Sequence, residues 1–80
     1  MTDVIAEAHS GATLSAREIE VLRMASLGLR NADIADRMGL SVHAVKFHLA
    51  GVYRKLGVSN RTEAAVTYLR LTPSVRQQRI

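Results

Sequence analysis

Cysteine does not occur in the 80-residue chain, so neither a disulfide nor a thiolate metal site can hold it together. Aromatic residues make up only 4% of it, and there is no tryptophan. A core must therefore come from packed Leu, Val, Ile, Met and Ala, with a partner subunit as a further source of stability. No apolar run approaches the roughly 18 residues of a membrane span. The opening MTDVIAEAHSGAT has two acids, no base before Arg17 and only a short apolar run, unlike a secretory signal. These absences predict a cytoplasmic protein, where the sequon-like Asn60-Arg61-Thr62 carries no glycosylation meaning. Eighty residues suffice for one domain.

What is present is unevenly charged. Residues 1–36 hold three arginines (17, 23, 30) against six acids (3, 7, 18, 20, 33, 36), a net of −3. Residues 37–80 hold eight bases (37, 46, 54, 55, 61, 70, 76, 79) against Glu63 alone, a net of +7. Such asymmetry points to a face that meets a polyanion, or to a basic surface with no partner.

Four helices are predicted. Ser15 and Glu18 form a capping box, with Leu14 and Ile19 as its hydrophobic staple, and open a helix over 16–27 that Gly28 ends. Its apolar face is Val21, Leu22 and Ala25, with Met24 at the margin. Asn31 is a good N-cap for a short helix over 32–38, with Asp33 in its first turn, an apolar face of Ile34, Ala35 and Met38, and Gly39 as its stop. Ser41 caps a third helix that runs to about Leu56, where Gly57 ends it, with Val45, Leu49, Val52 and Leu56 as one buried stripe. A fourth starts after Ser59 or Asn60, where Asn60 and Glu63 resemble a capping pair, and ends near Leu71 because Pro73 disfavours helix at Thr72. Ala65 and Tyr68 are its expected core residues. The domain then spans 14–71, between a flexible leader or linker remnant (1–13) and a loose basic tail (72–80). Only three residues, Gly39 to Ser41, separate the second and third helices. So short a connection suits a sharp corner, and the fold class is an all-α, four-helix domain with a central helix-turn-helix.

At about 100° per residue, the side of the third helix opposite Val45 collects His43, Phe47, Ala50 and Arg54, with Lys46 on its flank. A basic face with one aromatic ring and a small central residue suits a DNA major groove. Lysine can donate to guanine N7 and O6, and Phe or Ala can touch the thymine methyl group. Arg54 and Lys55 lie further along, where phosphates are the more natural partners. The alternative for Phe47 is burial against a neighbouring element.

The segments LSAREIEVL, GLRNADIADRMGLS and AVKFHLAGVYRKLGVSNRTEAAV resemble the LuxR-type (GerE, or FixJ/NarL-type) DNA-binding domain over about residues 14–70. The matching positions are Arg17, Glu18, Glu20, Val21 and Leu22; Gly28, Asn31, Ile34 and Ala35; Val45, Lys46 and His48; then Lys55, Leu56, Gly57, Val58, Arg61, Thr62, Glu63 and Ala64. The resemblance implies a bacterial transcriptional regulator, such as a response-regulator output domain, that binds double-stranded DNA with the third helix and associates with the nucleoid when bound. It implies base reading by Lys46, Phe47 and Ala50, three positions the helical wheel selects independently. It also implies a two-fold homodimer through the fourth helix, for which Thr62, Val66 and Leu69 are the candidates, and hence an inverted-repeat site. The other reading of that strip is that it completes the monomer's core. Two positions depart from the family pattern. Ala44 replaces the threonine before V-K, and Arg30 stands where serine is common.

The expected backbone contacts are His43, Arg54, Lys55, Arg61, Arg30 and Asn31, together with the helix N-termini. His48 is expected to be a partly buried scaffold residue. His43 and His48 are five apart and face different sides, so they form no helical metal pair. No triad spacing and no glycine-rich phosphate loop is found. No catalytic residue, metal or cofactor is therefore expected. Family members often carry a receiver or ligand-binding domain upstream, so the chain is expected to be either a stand-alone regulator or a piece of a larger one. RNA polymerase is a further candidate partner, because the helix-turn-helix also resembles sigma factor region four. A different reading is a helical adapter that pairs with a larger regulator through the fourth helix.

Overall fold

The computed structural model describes residues 13–71. The predicted leader (save Thr13) and the predicted tail lie outside the described residues. Four helices follow one another: α1 Ala16–Ser26, α2 Asn31–Met38, α3 Val42–Leu56 and α4 Arg61–Arg70. No strand occurs among the described residues.

The capping box of α1 forms as its residue types require. The Glu18 amide donates to Ser15 Oγ at 3.1 Å, and the Ser15 amide donates to Glu18 Oε1 at 2.8 Å. Leu14 is buried and Ile19 packs on the same cluster, as a staple would. The helix stops at Ser26, one residue before the prediction, with Leu27 as its C-cap.

α2 corrects one expectation. Arg30, not Asn31, is the N-cap, so the helix begins at Asn31 rather than at residue 32. The Asp33 carboxylate accepts from the Arg30 amide at 3.2 Å, the reciprocal bond of a capping box, while no side chain accepts from the first-turn amides as Asn31 was expected to do. The Asn31 side chain is engaged elsewhere, by Arg61. At the other end Gly39 takes φ 67°, a left-handed conformation in which other residues are strained. The Leu40 amide then reaches the Ala35 carbonyl at 2.8 Å, and the chain turns into α3. Ser41 Oγ accepts from the Ala44 amide at 3.0 Å and caps that helix as predicted. Asn60 caps α4 through the Glu63 amide at 2.9 Å.

Buried side chains fall into two clusters. One joins Leu14, Leu22, Val52, Leu56, Ala64 and Tyr68; the other joins Val21, Met24, Ala25, Ile34, Ala35, Val45 and Leu49. Tyr53 packs against both. The predicted stripe of α3 is thus buried along its whole length, its upper half in one cluster and its lower half in the other. Burial of each large aliphatic side chain contributes about 1.5–3 kcal/mol, which makes these clusters the main source of stability. Two details differ from expectation. Met24 is buried rather than marginal, and the core residue of α4 beside Tyr68 is Ala64, with Ala65 only half-buried. α1 packs against the other three helices, and α3 packs against α2 and α4; α2 and α4 share no extensive packing.

Candidate nucleic-acid interface

Because Val45, Leu49, Val52 and Leu56 anchor α3 to the core, its opposite side must face outward. His43, Lys46, Phe47, Ala50 and Arg54 are all exposed there. Phe47 is 74% exposed, so the burial alternative for this ring does not hold. Among the described residues its ring meets the half-buried His48, edge-on with ring centroids 5.9 Å apart. No hydrogen bond or ion pair engages Lys46, Arg54 or His43 among the described residues. Their donors stay available to an outside acceptor.

The other predicted backbone contacts have partners inside the chain. Lys55 Nζ donates to Glu18 Oε1 at 2.9 Å and to the Thr13 carbonyl at 3.3 Å. Arg61 Nη1 donates to Asn31 Oδ1 at 2.7 Å, and Nη2 donates to the Leu29 carbonyl. Arg30 is exposed and folds back onto Asp33, Nε to Oδ2 at 3.2 Å, which raises its pKa and lowers that of Asp33. On α4, Thr62, Val66 and Leu69 lie on one exposed strip, so it does not complete the monomer's core among the described residues.

Three features escape sequence reasoning. Glu18 is buried to 8% exposure beside α3. Burial alone pushes its pKa up, but the Ser15 amide and the Lys55 ammonium together outweigh this and hold it below its ordinary value of 4.5. Gly51 is the second: a Cβ there would lie 2.6 Å from Glu18 Oε2, so a side chain at this position would displace the Glu18 carboxylate. The third is the Arg61 bridge to Asn31 and Leu29. These contacts link residues 30 to 37 apart in sequence, beyond the reach of a local signal.

Residues 12–68 match the family model described as bacterial regulatory proteins, luxR family. The chain is 46% identical over 57 residues to the probable transcriptional regulatory protein SgaR of Hyphomicrobium methylovorum, covering 71% of this chain and 27% of that protein. It is 54% identical over 50 residues to the transcriptional activator protein EsaR of Pantoea stewartii subsp. stewartii, covering 62% and 20%. Among solved structures, the response regulator ChrA of a heme-sensing two-component system superposes with a TM-score of 0.67 at 45% identity, over 84% of this chain and 30% of that one. The chain thus spans less than a third of each of these relatives. The outward face of α3, the tight corner before it and these matches lead to one conclusion: the chain belongs to the LuxR family of bacterial regulatory proteins and carries its helix-turn-helix DNA-binding domain.

Proposed function

We propose that the protein is a sequence-specific transcriptional regulator that lays α3 in the DNA major groove and binds as a two-fold dimer through α4. The observation that carries this reading is the outward face of α3. It presents Lys46, Phe47 and Ala50 with no intramolecular partner for the lysine, while the opposite face is fully anchored. Lys46 reads guanine by donating to N7 and O6, and Phe47 and Ala50 read thymine by contact with its methyl group. His43, Arg54 and Arg30, with the first-turn amides of α2 and α3, hold phosphates and set register. Asn31, Lys55 and Arg61 border this surface, but their side chains already hold partners within the chain. The exposed strip of Thr62, Val66 and Leu69 supports α4 as the dimer contact, and a two-fold dimer favours an inverted repeat.

Selection from a random double-stranded DNA library at two salt concentrations tests the proposal. An enriched inverted repeat is the expected result. Binding that is salt-sensitive but blind to sequence would sink it and favour the adapter reading, or a surface for RNA polymerase.

A further inference from the structure

We propose that Arg61 is a positioning residue that ties the dimer helix to the helix-turn-helix and thereby sets the spacing of DNA half-sites. The inference rests on the DNA-reading role of α3 and the dimer role of α4 proposed above.

Arg61 is the first residue of α4, directly before the exposed strip that begins at Thr62. Its guanidinium spans to the first residue of α2 and the turn before it, through Nη1 to Asn31 Oδ1 at 2.7 Å and Nη2 to the Leu29 carbonyl. The Leu29 amide is itself held by the Met24 carbonyl of α1 at 3.2 Å. The arginine therefore grips a turn that α1 already anchors. Among the described residues α2 and α4 share no extensive packing, and this fork, with one bond to α2 itself and one to the turn that leads into it, links them. A planar guanidinium that donates two bonds fixes direction as well as distance, which a single ammonium does not. In a two-fold dimer the α4 strip lies near the symmetry axis, and α2 leads into the reading helix. An error in the angle between them is carried to both half-sites with opposite sign, so it changes their separation while each half-site stays readable.

A phosphate-contacting Arg61 and a positioning Arg61 predict different data. The library selection is repeated with Arg61→Ala, Arg61→Lys and Asn31→Ala, and affinities are then measured on the full repeat and on a single half-site. The expected result is an unchanged half-site sequence, a broadened distribution of spacings and an unchanged salt slope. Full-repeat affinity falls about tenfold, the scale of losing charge-assisted hydrogen bonds, while half-site affinity changes less than about twofold. Arg61→Lys keeps the charge but loses the fork, so it behaves like Arg61→Ala. If Arg61→Ala does not fold, as read by circular dichroism, Asn31→Ala carries the test, because it removes only one acceptor.

A salt slope reduced by about 0.9 per subunit with spacing unchanged makes Arg61 a phosphate contact and overturns the proposal. Equal losses on half-site and full repeat, with a lowered Tm, make it a merely structural residue and overturn it too. A wild-type chain that enriches no repeat removes the dimeric reader itself, and this inference with it. Unchanged spacing in the variants beside a normal wild-type repeat removes this inference alone.

Discussion

Phe47 is a side chain whose proposed base contact can be tested apart from folding. At 74% exposure its ring contributes little to the core, so Phe47→Ala should leave the thermal midpoint nearly unchanged. In the selection assay the same variant should lose the preference for thymine at one position. Melting of the domain instead would mean that the ring is structural. Lys46 makes a sharper case, because it is exposed and unpaired. Lys46→Ala should cost about 1–3 kcal/mol on the selected site if the amine reads a base pair. On random DNA the loss should be much smaller, and titration of both duplexes at one salt concentration checks it. Equal losses on the two would demote Lys46 to a phosphate contact.

At the scale of elements, the legible parts are those whose partners sit one turn away. Ser15 with Glu18, Ser41 with the Ala44 amide, and Asn60 with the Glu63 amide are all contacts three residues apart, so the starts of α1, α3 and α4 can be read directly. The start of α2 cannot, because a residue 30 positions away takes the Asn31 side chain out of the cap. Ala64 and Ala65 are adjacent and alike, and only the way α4 docks on the cluster of Leu14, Leu22, Val52 and Leu56 decides which one turns inward. For the candidate site, the outward face of α3 follows from its periodicity. The engagement of Lys55 and Arg61 does not, since it depends on how helices meet. Gly51 belongs with the illegible contacts and gives an element-level prediction. A glycine inside a helix is about 0.5–1 kcal/mol worse than alanine, yet Gly51→Ala would push the Glu18 carboxylate off its bonds to Ser15 and Lys55. In a Glu18→Ala background the obstruction is gone, and Gly51→Ala should stabilise by about 0.5–1 kcal/mol. Denaturant titration of the two single variants and the double variant measures that coupling. Additive effects would mean that the close approach carries no energy.

For the whole molecule, acid is the informative perturbation. Burial raises the pKa of Glu18, but the Ser15 amide and Lys55 more than compensate, so its carboxyl ends below its ordinary value. Glu20 is lowered by its bond to Arg23, and Asp33 by its bond to Arg30. A carboxyl depressed in the folded state adds stability that is present above its unfolded pKa and is lost as pH falls through the folded one. The thermal midpoint should therefore drop as pH falls below about 4.5, and Glu18→Gln should start lower at neutral pH and decline less steeply. An equally steep decline in that variant would mean that the stability lost to acid comes from other carboxyls. A different consequence follows from the two buried clusters. With no tryptophan in the sequence, tyrosine emission goes unmasked, and Tyr68 lies in one cluster while Tyr53 touches both. The molecule thus carries its own optical reporters, one for the cluster that includes α4 and one for the seam between the two clusters. Tyr68→Phe and Tyr53→Phe would assign the two signals without a label. Since α1 and α3 run through both clusters, the two transitions should coincide in denaturant, and emission that moved at separate midpoints would reveal halves that melt independently.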